Sequence, residues 1–272
     1  VNSIRRKELI LLNLETIYND YLDMLQEERE EKYKEYKKWF SASSAGSCYK
    51  KQWYKLNEFE SEPFDAKTKR LLRLGTIVHE DIEKALKHAE PADNVKVYTE
   101  HEIKIPDLNV IGHLDHCLVK HNNNIVDLYI SDLKTIAAFS WTNKFGRSAK
   151  KKGINSQPTI GHYELQVATY AIGMIEELSL RERSEFDIPY FANEDVNISL
   201  NIIYYNKNDS RMNVVEVPRD AMDYAIAYWK ELNEFVNQDG DVENIPPNGA
   251  IGVPMQSWEC RYCNYSKICK GS

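Results

Sequence analysis

Three short runs follow one another between stretches of helical spacing: YTEHEIKI (98–105), NVIGHLDHCLV (109–119) and NIVDLYISDLKT (124–135). Polar and apolar residues alternate in them, the period of a half-buried strand. HNNN (121–124) reads as the turn between the last two. Two further strand runs, VNISLNIIYYN and MNVVEVP, flank the turn KNDS. A mainly antiparallel sheet is therefore expected, and this constrains the fold more than any other feature. The helical period appears around it: residues 3–40 (Ile4, Leu11, Leu14, Ile17, Tyr21, Leu25), a short helix in CYKKQWYKL, and longer ones over 66–89, 161–178 and 219–237. SASSAGS (41–47) interrupts the first pair, and Ser140–Thr159 reads as a polar, basic segment. Helices on a sheet of this order give one α/β or α+β core. No internal repeat is present.

A length of 272 residues suits one large domain. The longest apolar runs, Leu9–Leu12 and Ile125–Ile130, fall far short of the ~20 residues a membrane helix needs, so no membrane partner is expected. The first residues turn charged too early for a secretory signal, and the chain begins without Met. Five cysteines are an odd number for a disulfide framework, which points to an intracellular, cytoplasmic home where thiols can bind metal. A net charge of −7 excludes a nonspecific polycation but not a local basic patch.

The stretch ISDLKT carries the chemistry. On a strand, Asp132 and Lys134 share one face, and Leu133 points the other way, into the core. Asp115, in GHLD on the preceding strand, sits beside Asp132 if the two strands pair. Two close carboxylates repel unless a divalent cation neutralises them, and oxygen-rich sites suit Mg²⁺ or Mn²⁺. A lone DxK is a common surface ion pair. Here it has company in order along the chain: LGTIVHE with His79 on a helix, GHLD, SDLKT, and HYELQVATY, where Gln166 and Tyr170 lie on one helix face.

These blocks, over roughly residues 41–270, resemble the RecB-type branch of the PD-(D/E)xK nuclease superfamily. The second acid is Asp132 where many relatives have Glu. The resemblance implies an α/β, restriction-endonuclease-like fold, a central mixed sheet flanked by helices, after an N-terminal helical segment (1–40). It implies that His79, Asp115, Asp132 and the backbone carbonyl of Leu133 ligate Mg²⁺ or Mn²⁺, which acidifies an attacking water. Lys134 would then steady charge on the phosphorane, and Gln166 and Tyr170 would hold the DNA strand. Glu80, Glu100 and Glu102 are read as outer ligands or plain surface acids, with the surface reading favoured, and no role falls to His162, Tyr163 or Glu164.

The tail WECRYCNYSKIC spaces three thiols as C-x₂-C-x₅-C: Cys260, Cys263 and Cys269. A metal set needs a fourth. Cys48, after the serine loop, is the better candidate, and Cys117 reads as a packed thiol. Ligand chemistry alone suits either structural Zn²⁺ or an iron–sulfur centre. Four such cysteines bracketing these blocks resemble the superfamily members, among them CRISPR-associated RecB-like exonucleases, AddB and exonuclease V, that hold a [4Fe–4S] cluster. That implies a clip between residue 48 and 260–269, closing a loop whose entropy is worth roughly 5 kcal/mol by analogy with a disulfide.

Lys144, Arg147, Lys150, Lys151 and Lys152, near Trp141 and Phe145, read as a loop for a single strand: cations meet phosphates and rings meet bases. The reading as a whole is a metal-dependent exonuclease on single-stranded DNA or DNA ends, of prokaryotic or viral origin. It would act in recombination, repair, replication or CRISPR adaptation, with a helicase or recombination protein as partner. The alternatives are a structure-specific endonuclease and a non-catalytic iron–sulfur scaffold on DNA.

Overall fold

The turn Pro106–Leu108 organises the sheet. In the computed structural model, which describes residues 13–89, 91–122, 125–146, 160–185, 196–237, 242–249 and 259–270, it joins Val95–Ile105 (β2) to Val110–Asn122 (β3) as an antiparallel pair. Asn109 closes the turn at φ 54°, a left-handed conformation that asparagine tolerates. Its carbonyl accepts the Phe40 N–H at 2.9 Å and its side chain donates to the Lys38 carbonyl at 3.2 Å. The tip so captures Phe40–Ser41 (β1), which runs parallel to β3 through Phe40↔Val110 and Ser41↔Ile111.

The other edge of β3 is shared. Ile125–Ile136 (β4) pairs antiparallel with it from Asn122↔Ile125 to His116↔Ser131 and no further. Between that point and β1, Gly112–Asp115 have no strand on this edge. Val196–Asn206 (β5) runs parallel to β4 along its whole length, and Met212–Val217 (β6) is antiparallel to β5. The sheet is six-stranded, ordered β1-β3-β4-β5-β6 with β2 also on β3.

Helices cover both faces. Leu14–Lys32 (α1) starts at Asn13, whose side chain accepts from Thr16 N–H, and Ala66–His88 (α3) starts at Asp65, capping Thr68 likewise. Lys69–Asp23 and Arg70–Asn19 contacts tie α3 to α1. Tyr49–Leu56 (α2) follows the serine loop, and Ala138–Phe145 (α4) follows β4. His162–Glu185 (α5) is buried all round from Leu165 to Met174, as a helix wrapped on every side must be. It packs between the sheet and Ala221–Asn237 (α6), whose Trp229 donates to Thr169 Oγ1 at 2.9 Å. Ser266–Lys270 (α7) ends the described chain.

The expected α/β class is observed: a central mixed sheet flanked by helices, consistent with a restriction-endonuclease-like arrangement. Two of its pairings, β1–β3 and β4–β5, are parallel, which alternation alone does not reveal. The helix expected over 3–40 spans Leu14–Lys32 among the described residues, with residues 1–12 outside them. Phe40, assigned to the N-terminal segment, lies in the core with its ring 5.7 Å from Trp229. The polar segment from Ser140 holds part of α4, because Trp141 buries itself there. β3 continues through Asn122, so the turn begins later than HNNN. No helix among the described residues is long and apolar enough to cross a membrane.

Gly173 sets how closely α5 approaches β2, since a Cβ there would lie 2.9 Å from Ile103 Cβ. Gly173→Ala gains about 1 kcal/mol of helix propensity but overpacks this contact by about 1–3 kcal/mol. Net destabilisation in urea unfolding is the expected result, against the usual sign for Gly→Ala in a helix.

Candidate active site

The unpaired stretch of β3 opens a split in the sheet, and the candidate residues gather around it. Alternation puts Asp132 and Lys134 on the α5 face of β4, as expected. The Asp132 side chain is fully buried. Its Oδ1 accepts from Gln166 Nε2 at 3.0 Å, and its Oδ2 lies 2.7 Å from Lys134 Nζ, an ion pair outside hydrogen-bond geometry. Lys134 Nζ donates to Gln166 Oε1 at 2.9 Å. Gln166 Nε2 also donates to the Tyr170 hydroxyl at 2.8 Å. One amide thus holds the acid, the ammonium and the phenol. Tyr170 reaches the split because residue 112 is glycine: a Cβ there would lie 3.0 Å from its ring and 2.7 Å from Ala42 Cβ.

Asp115 closes the split from the other strand. Its Oδ2 accepts the Leu133 N–H at 2.6 Å, replacing a ladder bond that β3 no longer supplies. Its Oδ1 lies 3.4 Å from Nδ1 of His79, which α3 carries over this side of the sheet. The two acids therefore meet through the backbone of Leu133, whose side chain is buried as expected.

Glu100 is exposed, as the favoured reading has it, and it also forms with His79 and Asp115 a group whose ligand atoms lie within 4.8 Å of one another, the arrangement of the outer-ligand alternative. Exposure there is real, but so is the backbone's departure from strand geometry: φ is 47°, and neither Glu100 nor Asp115 joins the ladder between Thr99↔His116 and His101↔Leu114. A non-glycine residue in that conformation costs of order 1–3 kcal/mol and is typical of functional sites. No periodicity in YTEHEIKI announces it. Glu80 and Glu102 do have other partners, Arg73 at 2.9 Å and the Tyr36 hydroxyl at 2.9 Å.

The electrostatics divide the two aspartates. Burial pushes the Asp132 carboxyl up to about 7, with Lys134 opposing and the charge of Asp115 reinforcing. Asp115 also pays for burial, but the hydrogen bond and charge of His79, with Lys134 and the Leu133 N–H, hold it below its usual value. Burial lowers His79, yet Asp115 outweighs it and raises the imidazole. Burial raises Glu100 as well, with Asp115 adding to it.

Lys144 is exposed on α4, its ammonium 4.7 Å from the centre of the Tyr204 ring. Arg147, Lys150, Lys151 and Lys152 lie outside the described residues. Cys117 is a packed thiol, pushed up to about 12 by burial. Burial also raises Cys48, and the charges of Cys263 and Cys269 add to it. Cys260 is exposed, and among the described residues the sulfurs do not close into a set within 4.8 Å. The tail docks on the segment around α2: Tyr265 stacks on Tyr54 at 5.5 Å, Asn264 O accepts the Glu62 N–H at 2.8 Å, and Lys267 pairs with Glu62 at 2.7 Å.

No protein-family model matches the chain, and no curated protein matches it. A solved structure titled "Crystal structure of SSO0001" is similar over 85% of this chain and 85% of that chain, at 18% identity and a TM-score of 0.45. A likeness that distant assigns no activity.

Because the folded value for Asp132 exceeds its unfolded value of 3.8, the folded chain keeps a proton there that the unfolded chain releases. This group's contribution to stability falls as pH rises from about 4 to about 7, then levels off. Asp115, shifted the other way, contributes stability that is lost as pH falls below its unfolded value. Thermal unfolding of cation-free protein at about pH 5 and pH 8 should lose its falling limb in Asp132→Asn. Added Mn²⁺ should stabilise the wild type more at the higher pH, since ligation needs the carboxylate.

Proposed function

We propose that the chain is a divalent-cation-dependent deoxyribonuclease acting on single-stranded DNA or DNA ends. The observation that carries this reading is the convergence of Asp115, Asp132, Lys134, His79 and Gln166 at one split in the sheet. Such a set of oxygen donors with one imidazole suits Mg²⁺ or Mn²⁺. The residues present fit that ion: Asp132 Oδ2 is buried without a hydrogen bond, and His79, Glu100 and Asp115 already face one another.

When bound, the cation supplies Lewis acidity to water and to the phosphoryl oxygens. His79, Glu100, Asp115 and Asp132 hold it, with the Leu133 carbonyl as a further donor. Lys134, kept in line by Gln166, offers its ammonium to the charge that builds on the phosphorus oxygens. Because Gln166 binds Asp132 and Lys134 with opposite ends of one amide, both groups keep a fixed separation as the substrate arrives.

Purified protein with Mg²⁺ or Mn²⁺, mixed with end-labelled single strands, tests the reading. Cleavage should require the cation, vanish in Asp132→Asn, and fall about a hundred- to a thousandfold in Lys134→Ala. Exonuclease action leaves a circular single strand uncut; cutting it identifies an endonuclease. Binding without cleavage under any cation identifies the scaffold.

The cysteines belong to the same proposal as a clip by a [4Fe–4S] cluster, with Zn²⁺ as the rival on ligand chemistry. The docking of the tail beside α2, the helix that follows Cys48, supports it. Cys48→Ser and Cys263→Ser should each remove visible absorption near 400 nm, on the order expected of sulfur-to-iron charge transfer, and lower the unfolding temperature. A colourless wild type that releases zinc would replace the cluster by the ion.

A further inference from the structure

A line of rings and cations leaves the candidate site along the α5 face and has no part in the chemistry above. Lys134 Nζ sits 5.0 Å from the centre of the Tyr163 ring. Tyr163 lies 6.3 Å from Tyr204, and Lys144 Nζ lies 4.7 Å over the other part of this pair, the Tyr204 ring. Tyr204 pairs with Lys134 in the β4–β5 register, so both project from neighbouring strands at one level of the sheet.

The three residues differ in a telling way. Tyr163 is 40% exposed although it is large and aromatic and sits beside a buried ion pair. Lys144 is exposed on the short helix that follows β4. Tyr204 is 1% exposed, packed edge-on by Phe145, and its buried hydroxyl has no hydrogen-bond partner. A bridging water is the ordinary partner of such a hydroxyl, so what Tyr204 contributes here is its ring, which backs Lys144 and Tyr163.

We propose that Tyr163 and Lys144, set against the buried Tyr204 ring, form a nucleotide subsite beside Lys134, in which Tyr163 stacks a nucleobase and Lys144 takes the adjoining phosphate. The ligand is an unpaired strand of nucleic acid. An exposed ring can stack a base only when its partner strand is absent, and stacking is tolerant of sequence. The phosphate meets the ammonium of Lys144, which leaves the Tyr204 ring to reach it. The subsite rests on the nuclease reading for its position next to Lys134, and it places the strand so that the neighbouring phosphodiester lies at the split.

Fluorescence anisotropy with labelled oligothymidine and with a blunt duplex, run beside the cleavage assay, tests it on the full chain. Tyr163→Ala should weaken single-strand binding about tenfold and leave the duplex unchanged, while Tyr163→Trp restores binding. Lys144→Gln should weaken binding and reduce its salt slope by about one. Unchanged single-strand affinity in Tyr163→Ala together with an unchanged salt slope in Lys144→Gln overturns the subsite, even if the wild type cleaves DNA. Wild-type binding that depends on Tyr163 without any cleavage keeps the subsite and removes the nuclease. A wild type that neither binds nor cleaves removes both.

Discussion

The β3–β4 ladder ends at His116↔Ser131, several residues short of where β4 ends, and the candidate site exists because of that early stop. A fully zipped pair would bury Asp115 and Asp132 against each other with no room for a third party. Parting the strands leaves backbone groups that must still be satisfied. The Asp115 carboxylate serves Leu133 N–H, and the Tyr170 ring and Ala42 fill the space beside Gly112. The split is thus a built feature, wedged open by a ring and bridged by a carboxylate.

Charge makes this arrangement costly when empty of cations. Asp115, Asp132 and Glu100 bring three carboxyl groups to one place, against Lys134 and a histidine whose affinity for protons is raised. The conflict is resolved by unequal titration: Asp115 stays ionised beside His79, and Asp132 resists ionisation in its buried position. The left-handed backbone at Glu100 adds strain in the same few residues. A divalent ion would relieve that repulsion, which is the physical ground on which the proposed function gives this site a cation.

Much of this was legible in the residues because it follows from periodicity. Alternation identified the strands, placed Asp132 and Lys134 on one face, and set Gln166 and Tyr170 one helical turn apart. What stayed hidden depends on contacts across the chain. Glu100 enters the site through a single backbone angle opposite Asp115, which no pattern in YTEHEIKI encodes. Tyr204 looks like any strand tyrosine until β5 is laid parallel to β4, a pairing decided by how β5 is reached and not by its own sequence. The polar segment after β4 read as loop because its one strong core residue, Trp141, is outnumbered by polar neighbours in the window. Phe40 reads as the end of the N-terminal helical segment because the strand it belongs to is two residues long, below the length at which alternation is readable.

The tail is coupled to the site by contacts of its own. Ala42, which wedges the split, lies in the same short loop as Ser47 and just ahead of Cys48. That loop is tied down at its far end: Ser47 O accepts from the Tyr228 hydroxyl at 3.3 Å, and the Tyr49 N–H donates to Pro247 O at 2.9 Å. The tail also meets the first turn of α5, where His162 lies 3.7 Å from Glu259, four residues before Gln166. A metal centre joining Cys48 to Cys263 and Cys269 would therefore grip both walls of the split, the Ala42 loop and the start of the helix that carries Gln166. Braced by one centre, the two walls would hold the separation between Asp132 and Lys134 that Gln166 enforces.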